Sequence, residues 1–311
     1  MTATTSHDPA ASATQRDVVR LGAIGVDSSH LPEFTRRIAA LHDAGDTRCR
    51  VTSFWAAPQA DMPAEDVAKW VADTQAMGVT AADSLDAMLD EVDGVMVLAV
   101  SGSKHRDLAL PALKRGLPTY IDKPLANTLD DARAIAAAAA EHDAPCYSAS
   151  SLRFVAEIDE LDRDALGEIV AVDAYGPGEL HDLMPGVLFY GVHSIELVDA
   201  IWGPGVKRVS AEHFADRDLL KLEYADGRHA SIRLDRKGSY AFGATVHGSQ
   251  SVAPFVVDFA TVYDRLVAAM VRFFEGQAPP VTLDRIVENV AVMVAANASI
   301  ERGGAWVELD V

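Results

Sequence analysis

Cysteine is nearly absent from this 311-residue chain, with Cys49 and Cys146 the whole supply. Two thiols cannot build a disulfide framework or a four-thiolate zinc site. Cations are also scarce: 27 Lys and Arg face 46 Asp and Glu, a formal charge of −19. That balance argues against a nucleic-acid backbone or an anionic membrane surface as partner. No apolar run approaches the ~20 residues of a membrane span. No Gly-x-Ser-x-Gly elbow offers a serine hydrolase a foothold. Met1 to Asp17 is rich in Ala, Ser and Thr and lacks the basic start and apolar stretch of a signal peptide, so it reads as a flexible tail. The whole chain is 49% hydrophobic, enough for a large core and, at this length, two domains. The expected class is a soluble, acidic, cytoplasmic globular protein, its acidity a solubilising surface.

The hydrophobic pattern divides near Ser150. Before it, strand-like runs alternate with helical ones. Val18–Ile24, Arg50–Trp55, the almost wholly apolar Val92–Val100, Pro118–Asp122 and Pro145–Ser148 read as strands. Between them, Phe34, Ile38 and Leu41 follow at helical spacing, with Pro32 in the first turn. Ala64–Met77, Lys104–Arg115 and Asp130–His142 are also helical, the last opened by a Thr128/Asp131 capping box. This β-α-β-α order predicts a doubly wound parallel sheet. After Ser150, Glu168–Tyr175, Lys207–Phe214, Leu219–Tyr224, His229–Leu234 and Tyr240–Val246 follow in close succession as a largely antiparallel sheet, interrupted by a helix over Val192–Trp202. Two helical stripes close the chain: Phe259, Val262, Tyr263, Leu266, Val267 and Met270, then Leu283, Ile286, Val287, Val290, Met293 and Val294. Both read as core packing.

Three segments carry chemistry. The first strand runs into Gly25-Val26-Asp27-Ser28-Ser29-His30. A dinucleotide fold needs glycines in this turn so that backbone can approach a pyrophosphate. Only the first glycine is present, Asp27 and His30 replace the others, and the second strand ends Phe54-Trp55-Ala56 without the acid that binds ribose. Ser28 and Ser29 serve either phosphate contact or plain helix capping. The second segment is Asp122-Lys123-Pro124 at a strand's carboxyl end, where open α/β sheets bind ligands. A lysine there holds a substrate hydroxyl or moves its proton; a surface ion pair is the alternative. The third is Tyr190-Gly191-Val192-His193-Ser194-Ile195-Glu196, in which His193 and Glu196 share a helix face. It follows a Gly- and Pro-rich loop holding His181 and Asp182, which reads as a lid or a surface excursion. Asp27, His30, His193 and Glu196 are metal-ligand types, but their spacing matches no metal motif, and no metal is expected.

In this order the parts resemble the glucose–fructose oxidoreductase/inositol dehydrogenase (Gfo/Idh/MocA) family over about Val18 to Val311. The places that carry the resemblance are Gly25, His105 with the helix through Gly116, Asp122-Lys123-Pro124 in place of Glu-Lys-Pro, Arg153-Phe154, and His193. The Gly-Val-Asp-Ser-Ser-His opening looks like a divergent dehydrogenase branch. The resemblance implies a Rossmann domain over 18–149 and an α/β domain with an open, mostly antiparallel sheet over 150–311. It also implies NAD or NADP, carbohydrate-like substrates, and a homo-oligomer, dimer or tetramer. Lys123 would polarise the reacting hydroxyl, His193 would move its proton, and Asp122 would support Lys123. Gly25, Val26, Asp27, Ser28, Ser29, Val100, Ser101, His105 and Lys123 would line the cofactor; Arg153, His181, Tyr190 and Glu196 would face the substrate. The chain departs from the family at Asp27, at His30, at the missing ribose acid, and at Phe189, where the family often has an aspartate four residues before its histidine. Those departures keep two other readings in view: a lyase, hydratase or glycoside-cleaving enzyme with nucleotide tightly held or absent, and a non-catalytic carbohydrate-binding protein.

Overall fold

A parallel sheet and a mixed sheet divide the chain between them. The structure, a computed structural model, describes residues 18–58 and 60–310; the expected tail at Met1–Asp17 lies outside them. The first part alternates without exception: β1 (Val19–Ile24), α1 (His30–Ala44), β2 (Cys49–Trp55), α2 (Ala64–Ala76), β3 (Thr80–Ala81), α3 (Leu85–Leu89), β4 (Gly94–Val97), α4 (Gly102–Leu113), β5 (Thr119–Ile121), α5 (Leu129–Glu141) and β6 (Cys146–Ser148). The strand order is β3-β2-β1-β4-β5-β6, all parallel. The chain therefore reverses direction across the sheet between β1 and β4, and a crevice opens at their carboxyl ends. The apolar run at 92–100 forms a strand only over Gly94–Val97; beyond it Leu98, whose N–H donates to the Ile24 carbonyl at 2.7 Å, and Ala99 are equally buried, because burial rather than strand membership dictates their apolarity. Ser101 and Thr128 cap α4 and α5 through side-chain oxygens that accept N–H groups of Ser103 and Ala-rich α5's Asp131.

The second part runs through a 3₁₀ turn at Ser151–Phe154, α6 (Ala156–Asp159), α7 (Arg163–Leu166), β7 (Ile169–Pro177), a turn at Gly186–Leu188, α8 (Gly191–Trp202), β8 (Val206–Phe214), β9 (Arg217–Tyr224), β10 (His229–Asp235), β11 (Gly243–Gly248), β12 (Val252–Val256), α9 (Val262–Phe274), α10 (Leu283–Glu301) and β13 (Val307–Glu308). Its sheet has the order β12-β11-β7-β10-β9-β8-β13, and only the β7/β10 pair is parallel. Burial alternates along β9 and β10: one face packs on helices, including α8 and α10, and the other carries Asp173, Ser231 and His247, joined by hydrogen bonds. The edge strands β12 and β13 have no counterpart in the sequence reading. Pro254 masks the first, which sheets tolerate at an edge, and the second spans two residues.

The closing helix α9 crosses back to the first sheet. Phe273 packs edge-on to Tyr147 with centroids 4.8 Å apart, the Cys49 thiol points to the Val271 carbonyl at 3.6 Å, and Glu275 accepts hydrogen bonds from Thr47 and from the Arg48 N–H. Fully burying such aromatic and aliphatic side chains contributes about 1.5–3 kcal/mol each, so the two parts share one core.

Candidate active site

A cavity of about 260 Å³ lies at the carboxyl ends of β1, β4, β5 and β6, roofed by α8 and α9. It brings Lys123 and His193 to one space, with Asp27, Ser28, Ser29, Val100, Asp122 and Tyr190 also on its walls. His30, Trp70, Phe189, Tyr263 and Leu266 are among the other wall residues. Asp122 follows β5 directly, its N–H still on the Val97 carbonyl at 2.9 Å, and Lys123 comes next, so the paired strand sets where the lysine leaves the sheet.

Asp122 is buried, and burial by itself raises a carboxyl's pKa. Its neighbours outweigh that: His30 Nδ1 donates to Oδ2 at 2.5 Å, the charges of His30 and Lys123 act on it, and the Lys123 N–H donates to Oδ1 at 2.8 Å. The group is held well below the usual carboxylate range and stays anionic. The Nε2 atom of His30 lies 3.2 Å from the Tyr263 hydroxyl. Burial, with the Asp122 charge, pushes that phenol up to about 12, so it remains a donor. His30 also stacks on Phe34 at 4.7 Å. An imidazole thus occupies the third glycine position of the fingerprint and reaches the carboxylate beside the lysine.

His193 opens α8. Its Nδ1 pairs with the Ser150 hydroxyl at 2.7 Å. Among the described residues Nε2 has no hydrogen-bond partner. Burial first, then the charge of Lys123, hold the imidazole well below its usual pKa, so it is neutral and able to accept a proton. Glu196 does not bond to His193, although they share a helix face. It accepts the Ser150 N–H at 3.0 Å and the Arg153 Nε–H at 3.1 Å, while Arg153 also donates to Asp199 at 2.6 Å. Arg285 adds a second cation to Asp199 at 3.0 Å. All three of Arg153, Glu196 and Asp199 are buried behind the histidine, and Arg153 and Glu196 are not on the cavity wall. Their shared work is to fix Ser150, and through it the imidazole.

The remaining expected residues fall into two groups. Gly25 turns the chain at φ +94°, and a Cβ there would lie 2.7 Å from the Ala99 nitrogen, so only glycine allows this approach. Val26 is core. The Asp27 carboxylate turns aside to accept the Asp61 N–H at 2.9 Å. The N–H groups of Asp27, Ser28 and Ser29 donate to no protein atom among the described residues; the Ser29 side chain makes no cap, while the Ser28 hydroxyl accepts the His30 N–H at 3.1 Å. Such a cluster at a helix start suits an anion, so the turn fits a pyrophosphate despite its missing glycines. His105 is fully buried, its ring between the Ala99 carbonyl at 2.7 Å and the Pro124 carbonyl at 2.9 Å. It ties the β4 end to the Lys123-Pro124 turn from behind the cavity. Ser101 caps α4. Tyr190 faces the cavity and hydrogen-bonds Tyr240; His181 packs on Phe189 with centroids 4.8 Å apart, outside the cavity wall.

His30, Ser150 and Tyr263 escaped the sequence reading as parts of the reacting site. Tyr263 sits in a stripe that reads as core; its hydroxyl amid aliphatic neighbours was the available signal. His30 was legible as a damaged glycine position and as a metal-ligand type.

Residues 20–150 match the model of the oxidoreductase family with an NAD-binding Rossmann fold. Over that stretch the chain is similar to the Gfo/Idh/MocA family. No curated protein sequence matches the chain. Among solved structures, GenD2 from gentamicin A biosynthesis in complex with NAD superposes with a TM-score of 0.77 at 18% identity, over 100% of both chains. The WlbA dehydrogenase from Bordetella pertussis, in complex with NADH and UDP-GlcNAcA, gives 0.76 at 16% over 95% of this chain and 99% of that one. Scyllo-inositol dehydrogenase from Lactobacillus casei, with NAD(H) and scyllo-inositol, gives 0.74 at 12% over 94% and 99%. At these identities the likeness is one of fold, and it spans both domains. Among the described residues no helix is long and apolar enough to cross a membrane.

Proposed function

We propose that this protein is an NAD(P)-dependent dehydrogenase that oxidises a hydroxyl of a sugar, sugar acid or polyol. The observation that carries the reading is the convergence of Lys123 and a neutral His193 on one cavity at the carboxyl ends of the parallel strands. The bound carbohydrates of the structural neighbours support the substrate class.

The turn at Gly25–Ser29 would hold the pyrophosphate on its unpaired N–H groups, and Val100 and Lys123 would border the nicotinamide. Bound there, the nicotinamide would supply the hydride acceptor. The chain's own residues handle the proton. The Lys123 ammonium donates a hydrogen bond to the reacting hydroxyl and favours its alkoxide. His193 Nε2 accepts the proton, with Ser150 orienting the ring through Nδ1. Asp122, kept anionic, balances the lysine's charge. Tyr190 and Phe189 shield one side from water. A positioned acid–base group contributes roughly 10²–10⁴ in rate.

The test is NAD+ and NADP+ reduction by purified protein across a panel of inositols, aldoses and uronic acids. Lys123→Met should cost about 10²-fold or more in turnover while NADH binding persists. Full turnover in that variant would refute the role of Lys123.

A second imidazole in the cavity, His30, favours one further reading: oxidation that is transient and activates the neighbouring C–H for elimination or glycoside cleavage. It predicts exchange of that carbon-bound proton with solvent deuterium, read by mass spectrometry. Simple oxidation shows none.

A further inference from the structure

The acid that binds the adenosine ribose in a dinucleotide fold is expected at the end of the second strand. Here β2 ends in Trp55-Ala56-Ala57, yet a carboxylate reaches that corner from further along the chain. A tight cleft beside the main cavity is bounded by Val26, Asp27, Ala57, Ala60, Ala99 and Lys104, the residues that follow β1, β2 and β4. Asp61 is tied to two of these walls. Its N–H donates to Asp27 at 2.9 Å, and its Oδ1 meets Lys104 Nζ at 2.7 Å. Its other oxygen, Oδ2, is buried without a hydrogen-bond partner. A buried anionic oxygen without a donor is costly, and a hydroxyl placed beside it would satisfy it.

We propose that Asp61, paired with Lys104, reads the adenosine ribose and selects NAD over NADP; this assignment rests on the nucleotide reading above. A ribose 2′-hydroxyl is a donor that a carboxylate oxygen accepts, whereas a 2′-phosphate is an anion that it repels. Lys104 tempers that repulsion while Asp61 is present. Without Asp61, the ammonium faces the same corner uncompensated by it and favours the 2′-phosphate instead. The discrimination is therefore a difference between two opposed charges, and one substitution should shift it. The wall formed by Ala57 and Ala60 has to move outward as adenosine enters, since the cleft admits no water-sized body.

The experiment needs no substrate. NADH and NADPH are titrated into wild type, Asp61→Asn, Asp61→Ala and Asp61→Ala/Lys104→Met, following binding by calorimetry. Thermal midpoints check that each variant is folded. Wild type should favour NADH by about tenfold or more, ~1.4 kcal/mol per decade. Asp61→Asn and Asp61→Ala should both bind NADH about tenfold more weakly, and the alanine variant should gain affinity for NADPH, a gain that Lys104→Met removes. A ratio within about twofold of wild type in both single variants, or a wild type that favours NADPH, overturns the assignment of Asp61 while leaving nucleotide binding intact. Failure of wild type to bind either nucleotide overturns the nucleotide reading with it.

Discussion

Replacing Arg153 by methionine should cost the protein more stability than activity chemistry would suggest. The guanidinium is buried and donates to Glu196 at 3.1 Å and to Asp199 at 2.6 Å. Removing it leaves the two carboxylates unequally provided for. Asp199 keeps Arg285 at 3.0 Å and the Asn289 amide at 3.4 Å. Among the described residues Glu196 keeps only the Ser150 N–H, in surroundings whose burial already raises its pKa. The relevant loss is therefore one broken buried pair, about 3–5 kcal/mol. At ~2–4 °C per kcal/mol for a protein of this size or somewhat smaller, the thermal midpoint should fall by roughly 10 °C at neutral pH. Adding Glu196→Gln removes the stranded charge and should recover a large part of the loss. The assay is thermal unfolding by circular dichroism or calorimetry for the three proteins. An Arg153→Met protein whose midpoint lies within ~2 °C of wild type but which has lost substrate affinity would refute the argument and return Arg153 to the ligand side.

The other expectations concern protons and packing. His193 should titrate well below the ordinary ~6.5 of histidine, read from its ring C–H shifts by NMR; a normal midpoint would contradict its desolvated place beside Lys123. Asp122 has a folded pKa below its unfolded value, so its stabilisation is complete above the ordinary ~3.9 and is lost as pH falls through the folded value. The stability gap between wild type and Asp122→Asn should accordingly be full above about pH 5 and shrink as the pH falls below about 4. Gly25→Ala forces both a positive φ and a 2.7 Å approach to Ala99, and should cost more than ~1 kcal/mol and weaken NADH binding, measured by melting with and without nucleotide. Tyr263→Phe removes the hydroxyl facing His30; the loss of one hydrogen bond, about 0.5–1.5 kcal/mol, should appear in stability, and an unchanged midpoint would mean that the contact is idle.

Much of this architecture is legible in the sequence because each signal is local. Thr128 with Asp131 and the apolar stretch around Val95 act within a few residues of themselves. Lys123 and His193 were legible for a related reason: each sits where a regular element ends or begins. The partners of these two residues were not. His30 and Asp122 are 92 residues apart, and His30 and Tyr263 are 233 apart, so only the crossing of α9 to the first sheet brings them together. Glu196 illustrates the opposite error. Helical spacing puts it near His193, but a buried carboxylate goes to the strongest donor available, and Arg153 outbids a neutral imidazole.

That crossing of α9 has a consequence for biosynthesis. A ribosome that has finished the parallel sheet, the lysine turn and the histidine helix has still not made Tyr263 and Leu266, which wall the cavity. Products that stop early would hold Lys123 and His193 beside an open flank and an uncovered aromatic at Tyr147. Competence arrives only with the last helices, which makes the protein's own completion a checkpoint against half-made oxidoreductases.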